Sequence, residues 1–178
     1  KNIKYLFRKN DKDISRSFME GVKMSDATKV ILMDADLQHE TKDLNLFIPF
    51  TYNNKYPLVN GSRFLKDSNI YGSKIYILFR ISLSKLFIFI CKYIFQIKLT
   101  DPLSGFFMAD RDTLLKYENN LYKNGWKIML DFYIASKKDI IIKELPITIN
   151  KRMHGQSKLN FKVVINFCKL LIYHSFIK

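Results

Sequence analysis

Two carboxylates two positions apart, Asp34 and Asp36, follow directly on the apolar, β-branched run of residues 28–33 (TKVILM), with Gln38 and His39 close behind. On an extended chain, side chains at i and i+2 project from the same side, and two carboxylates that close ionise comfortably only beside a cation. Hard divalent ions such as Mg2+ bind through one or two carboxylates together with substrate phosphates, and a carboxamide oxygen such as that of Gln38 can complete the set. An isolated D-x-D also reads as a solvated polar loop. Directly behind a buried-type strand, with Gln38 in reach, this one favours the cation site. His39 reads as a packed or exposed loop histidine rather than a ligand.

Three further clusters have phosphate-binding chemistry. In Asn60-Gly61-Ser62-Arg63 the glycine permits a tight turn and the arginine presents a planar fork to phosphate or carboxylate, although any surface turn can contain these residues. Arg80 and Ser84 are four apart and share a face on a helix. They read equally as a phosphate-facing pair or as the polar stripe of an amphipathic helix with Lys85 and Lys92, and both readings suit a helix lying in a membrane interface. Residues 151–158 (KRMHGQSK) form a glycine-containing basic loop that can wrap a diphosphate ahead of a helix start; by itself it is a solvated basic loop. Asp101 and Asp131 can orient groups nearby, but read better as turn and helix-surface residues.

These clusters need elements to position them. The spacing predicts helices over residues 13–24 (capped by Asp13), 42–50, 71–99 (one helix or two), from 112, over 127–137 and from 161. Strands are predicted over 28–33, 56–60, 106–109 and 140–149, the last with Pro146 placing it at an edge or bulge. Strands alternating with helices argue for an α/β layer fold with a mostly parallel sheet, whose ligands sit at the carboxyl ends of the strands. Those ends fall just after Met33, after Asn60 and around Thr100.

At 178 residues and 48% hydrophobic, the chain has length for one domain with a sizeable core, and its few Gly and Pro exclude collagenous or low-complexity classes. The net charge of +14 points to an anionic partner: nucleic acid, a phosphorylated substrate or an anionic membrane. Cys91 and Cys168 lie in apolar helix-like segments and read as small core residues, which fits a reducing compartment. The longest apolar stretch, residues 75–99, is broken by Arg80, Lys85 and Lys92, so it falls short of a membrane span. The chain opens on Lys1 rather than Met and reads as lacking an upstream part.

Taken together, VILMDADLQH, LVNGSRF, the Arg80/Ser84 helix, DPLSGFF, GWKIMLDF, KELPITI and RMHGQSKL occur in one order from about residue 7 to the end. This series resembles the dolichyl-phosphate (polyprenyl-phosphate) mannosyltransferases of glycosyltransferase family 2. The resemblance implies a GT-A (Rossmann-like) fold with a mostly parallel sheet flanked by helices. It implies one catalytic domain over residues 1–178 that lacks its first strands, with amphipathic interface helices at about 71–99 and 161–178. It also implies transfer of mannose, with inversion, from GDP-mannose to dolichyl phosphate at the cytosolic face of the endoplasmic reticulum membrane, with Mg2+ or Mn2+ and small membrane subunits as possible partners. The product would be dolichyl-phosphate mannose for glycan and GPI-anchor synthesis.

Matched residue by residue, the resemblance puts Asp34, Ala35 and Asp36 at the donor, with Asp36 and Gln38 as the metal positions. Lys127, Arg152 and Lys158 fall at the donor phosphates, and Arg63, Arg80 and Ser84 at the acceptor phosphate. Glu40 stands where the family usually has proline, and Asp13-Ile14-Ser15 where relatives carry glycines. The alternatives are a polyprenyl-phosphate glucosyltransferase using UDP-glucose and, from another class, a non-catalytic basic membrane-surface or nucleic-acid-binding module. The last leaves D-x-D-x-Q behind a strand unexplained and lacks the interleaved aromatics of a stacking platform, so no nucleic-acid partner is expected.

Overall fold

The computed structural model describes residues 5–7, 13–72, 74–137, 139–151 and 161–176; the side chains of residues 74–77, 80, 161 and 162 lie outside the description. The described elements are α1 (Ile14–Met24), β1 (Lys29–Leu32), α2 (Leu44–Phe47), β2 (Leu58–Ser62), β3 (Asn69–Ile70), α3 (Lys74–Phe95), β4 (Phe107–Asp110), α4 (Arg111–Lys116), α5 (Ile128–Ala135), β5 (Ile142–Pro146), β6 (Thr148–Ile149) and α6 (Phe161–Phe176), with short 3-10 turns around α2 and after α4. Asp13 caps α1 as its sequence position suggests, accepting from the Arg16 N–H at 3.1 Å. Residues 71–99 give one helix, since neither Gly nor Pro interrupts α3.

Four strands form the main sheet in the order β1-β4-β2-β5. β2 and β5 pair in parallel, while β4 lies antiparallel between β1 and β2. The sheet is therefore mixed, with three strands running one way and β4 against them. β5 is an edge strand among those described, and it ends at Pro146, where a missing N–H costs no ladder bond. The chain then bends: Ile147 donates its N–H to Ser62 O at 3.1 Å, and β6 pairs with β3 in a separate two-stranded sheet that sequence periodicity did not indicate.

Alternation along the strands sorts the core into two layers. Leu58, Phe107 and Ala109 face a larger cluster filled by Phe18 and Val22 of α1, Ile88 and Cys91 of α3, Met129 and Phe132 of α5, and Phe167 and Leu170 of α6. Val59, Phe106 and Met108 face a smaller one with Phe47, Leu145 and Ile147. A sheet covered on both faces is the α/β layering predicted from the sequence.

Two local readings change. Cys91 is buried, but Cys168 is exposed on α6, because the inward stripe of α6 runs through Phe167, Leu170, Leu171 and His174 and leaves residue 168 on the outer side. Asp131 is not a helix-surface residue. It has no exposure, and its carboxylate accepts from the Tyr122 and Lys123 N–H groups, both at 2.9 Å, and contacts His174 Nε2 at 2.7 Å. This buried carboxylate joins α5 to α6. A second join is the ring contact of Phe87 with Phe167, centroids 4.9 Å apart, between α3 and α6.

α3 carries Leu78, Phe79, Leu86, Phe89 and Tyr93 as exposed apolar or aromatic side chains, with exposed Lys85 and Lys92 beside them. Among the described residues, no helix is long and apolar enough to cross a membrane.

Candidate active site

The carboxyl end of β1 delivers Asp34 and Asp36 into a loop over the sheet edge. Leu37 takes a left-handed backbone (φ 61°), an unusual cost for a branched side chain. This tightens the turn so that Asp36 Oδ1 accepts the Gln38 N–H at 3.2 Å. Gln38 is fastened to the end of β6: Asn150 donates its N–H to Gln38 O at 2.7 Å, and Gln38 Nε2 donates to Asn150 O at 3.2 Å. His39 packs its ring on Phe106, centroids 4.9 Å apart, and its buried Nδ1 has no hydrogen-bond partner among the described residues. Burial lowers its pKa, against the opposing pull of Asp34 and Asp36. It is a packed, neutral histidine, as its sequence context suggested.

Arg63 follows β2, and its guanidinium is gripped by Asp101. Nε donates to Oδ2 at 2.6 Å and Nη2 to Oδ1 at 2.8 Å, and the Arg63 N–H donates to Oδ2 at 3.2 Å. Asp101 has no solvent exposure, whereas the Arg63 side chain keeps 21% of its own. Behind Asp101 stands Glu144 of β5. Its Oε2 accepts from the Thr100 N–H at 2.8 Å, and its Oε1 accepts from the Asp101 N–H and from Asn60 Nδ2, each at 3.2 Å. Asn60 Nδ2 also donates to Asp101 O at 2.9 Å, and the Ser62 and Thr100 hydroxyls share a 2.6 Å hydrogen bond.

Lys127 sits at the entry of α5 and donates from Nζ to Leu103 O at 2.9 Å. Burial brings its pKa down to about 8, helped by the repulsion of Arg63 and opposed by Asp101 and Asp34. Gly105 backs the first carboxylate so closely that a β-carbon there would stand 3.4 Å from Asp34 Oδ2. Thus the 100–105 loop binds Arg63 through Asp101 and Lys127 through Leu103 O, and passes beside Asp34 at Gly105.

Of the residues proposed from the sequence, Asp34, Ala35, Asp36, Gln38, Arg63 and Lys127 belong to this one region of the fold. Ser84 lies half-buried midway along α3, one turn from the Arg80 backbone; among the described residues, no hydrogen bond ties it to Arg63, Asp34 or Lys127. Arg152 and Lys158 lie outside the described residues. Sequence reasoning preferred a turn role for Asp101 over an orienting one, and missed Glu144 as a member of the site. A glutamate within the apolar run IIIKELPITI was the available signal, since a carboxylate partly buried in a strand needs donors.

Among the described residues, no three His, Cys, Asp or Glu side chains come together as a metal cage. The donor set that fits a divalent ion is the small one of Asp36 and Gln38 with Asp34 beside them, which suits an ion that takes its other ligands from substrate phosphates and water.

The mixed α/β sheet flanked by helices has the GT-A architecture. The family model for glycosyl transferase family 2 matches residues 1–117, and the chain belongs to that family. It is 28% identical to the dolichol-phosphate mannosyltransferase of Pyrococcus furiosus over 94% of this chain and 46% of that protein. It is 25% identical to the proteins of the same name from Mycosarcoma maydis and Saccharomyces cerevisiae, over 96% of this chain and 57% and 63% of theirs. The chain therefore spans from about half to under two-thirds of the length of these relatives. Among solved structures, glucosyl-3-phosphoglycerate synthase of Mycobacterium tuberculosis shares the fold. Its complex with phosphoglyceric acid superposes with a TM-score of 0.62 at 14% identity, covering 96% of this chain and 58% of that one. Its complex with Mn2+, UDP-glucose and phosphoglyceric acid gives 0.60 at 16% identity, covering 94% and 56%.

Proposed function

We propose that this chain is the catalytic region of a polyprenyl-phosphate mannosyltransferase, which transfers mannose from GDP-mannose to dolichyl phosphate with inversion at the sugar carbon. The observation that carries this reading is that the single 100–105 loop holds Arg63 through Asp101 and Lys127 through Leu103 O, with Asp34 beside Gly105. That arrangement sets two cations and a carboxylate pair where two anionic substrates must meet. The names of the relatives support the acceptor class, and the residue match supports the donor.

A phosphate acceptor is already anionic at neutral pH, so the reaction needs no general base. It needs the two negatively charged reactants held together and the departing diphosphate neutralised. Arg63 offers its outward guanidinium edge to the acceptor phosphate. Lys127 offers an ammonium to the donor diphosphate, with Arg152 and Lys158 as further donor cations. Arg80 and Ser84 are assigned to the acceptor. A Mg2+ or Mn2+ ion held by Asp36 and Gln38 would supply the remaining neutralisation of the diphosphate.

The exposed apolar face of α3, flanked by Lys85 and Lys92, supports an interfacial position on the cytosolic leaflet of the endoplasmic reticulum membrane, where basic side chains meet lipid phosphates. Small membrane subunits are possible partners there.

The test offers labelled GDP-mannose and UDP-glucose side by side to the complete protein in membranes with dolichyl phosphate and Mg2+ or Mn2+, with Asp36→Ala as control. Mannolipid that disappears in the control is the expected result. Glucolipid would move the donor to UDP-glucose, and no product from either donor with folded, membrane-bound protein would remove the reading.

A further inference from the structure

We propose that Asp101 is the positioning residue of the acceptor end, gripping one edge of the Arg63 guanidinium so that the opposite edge faces the acceptor phosphate. This rests on the proposed polyprenyl-phosphate reading and adds to it a residue that touches no substrate.

A guanidinium has five N–H donors in a rigid fork. Asp101 takes Nε and one hydrogen of Nη2, and a third bond from the Arg63 N–H fixes the root of the side chain to the same carboxylate. Among the described residues, no hydrogen bond engages Nη1 or the second hydrogen of Nη2, and the Arg63 side chain keeps 21% of its exposure. A flexible arginine samples many rotamers and loses that freedom on binding a phosphate; a clamped one has lost it beforehand.

A buried ion pair is a poor device for stability alone, since well-packed apolar residues of similar volume often serve as well or better. A pair with one member wholly buried and the other partly exposed is instead what orientation requires. Asp101 is itself held at both ends of its peptide unit: Glu144 Oε1 receives its N–H and Asn60 Nδ2 reaches its carbonyl. The clamp is thus referenced to β2 and β5, the rigid parallel pair of the sheet, rather than to solvent-facing loop. Farther along, the same loop meets Lys127 and Asp34, so the acceptor edge of Arg63 is registered against the donor groups by a few residues of backbone.

The test compares wild type, Asp101→Asn and Glu144→Gln in the complete protein. Asn keeps the volume and one acceptor oxygen but turns an amide N–H2 toward the guanidinium, so the fork is lost. Glu144→Gln loosens the loop without touching Arg63. Steady-state constants are measured separately for a short-chain polyprenyl phosphate and for the nucleotide sugar, polyprenyl-phosphate binding is titrated calorimetrically without donor, and thermal melts report folding. Displacing a reacting group by about 1 Å can cost on the order of 100-fold. The expected result for Asp101→Asn is a rise of about 10- to 100-fold in the acceptor KM and Kd, with the donor KM within about two-fold of wild type. Glu144→Gln should shift the same constants by less, and it carries the test should Asp101→Asn fail to fold.

Acceptor and donor constants moving together, or activity falling only with the folded fraction, would overturn the proposal. So would wild-type polyprenyl-phosphate binding that both variants retain in full. If wild type itself binds no polyprenyl phosphate, the functional reading fails first and the positioning role falls with it.

Discussion

Raising the pH should neutralise Lys127, one of the cations assigned to the donor, while leaving Arg63 at the acceptor end charged. Burial and the neighbouring Arg63 bring the Lys127 ammonium down to about 8, whereas a solvated lysine ionises near 10.4. From that value, about nine-tenths of Lys127 is protonated at pH 7 and about one-tenth at pH 9. A contact that requires the ammonium therefore weakens about five-fold from pH 8 to 9 and approaches ten-fold per unit above that. The acceptor phosphate has completed its second ionisation by then, with a pKa near 6 for a phosphate ester, and the guanidinium of Arg63 stays charged throughout. The donor KM and Kd should rise about five-fold from pH 8 to 9, with the acceptor constants nearly flat.

Stability should move the other way. The folded-state pKa of Lys127 lies below its unfolded value, so between about pH 8 and 10.4 the unfolded chain binds more protons at this group. The destabilising contribution of the buried ammonium, fully present below pH 8, is relieved as the pH rises through that window. Relative to Lys127→Met, wild type should thus gain thermal stability from pH 8 to 10 while losing donor affinity. The assay is donor binding and initial rate from pH 6.5 to 9.5 for wild type and Lys127→Arg, with melts alongside. Lys127→Arg should flatten the donor profile. A donor KM that stays level to pH 9.5, or an inflection near 8 that persists in Lys127→Arg, would refute the assignment of this amine to the donor.

Gly61→Ala should be costly, because a β-carbon there would stand 2.8 Å from Ile147 Cγ2 and 2.9 Å from Phe106 O, the carbonyl that accepts the Gly61 N–H. The expected loss is about 1–3 kcal/mol of stability, read as a lowered melting temperature, with a weakened acceptor constant because Arg63 lies two residues on. Asp131→Leu removes the acceptor of two backbone N–H groups and of His174. At roughly 1–3 kcal/mol for each buried group left unsatisfied, about 3 kcal/mol or more should be lost in denaturant unfolding, and Asp131→Asn should recover part of it. Thiol labelling of native protein should modify Cys168 and spare Cys91, whose thiol is buried and pushed up to about 12. Equal labelling of both before unfolding would contradict the packing of α3.

Much of the site was legible in local pattern. A β-branched apolar run followed by D-x-D-x-Q placed a carboxylate-bearing loop at a strand end, and the loop stands there with Gln38 tied to the end of β6. Asp13 capped the helix it preceded, and Pro146 marked the end of an edge strand. These features depend on residues within a turn or two of one another, where backbone preference and hydrophobic period act directly.

The rest required contacts between distant parts of the chain. A buried apolar run has no mark of direction, so nothing in residues 106–109 showed that β4 would lie antiparallel between β1 and β2. Asp101 read as an ordinary turn residue because its partner Arg63 lies 38 positions earlier, and Glu144 because the Thr100 amide it holds lies 44 positions before it. Asp131 read as helix surface because the His174 that covers it belongs to another helix, 43 positions on. The sequence by itself determined which residue types stand at the ends of strands, and so which chemistry is available. Only the tertiary structure decided which charges face one another. Charge pairing depends on distance and burial in space, whereas the periodicities of helix and strand are properties of neighbouring residues along the chain.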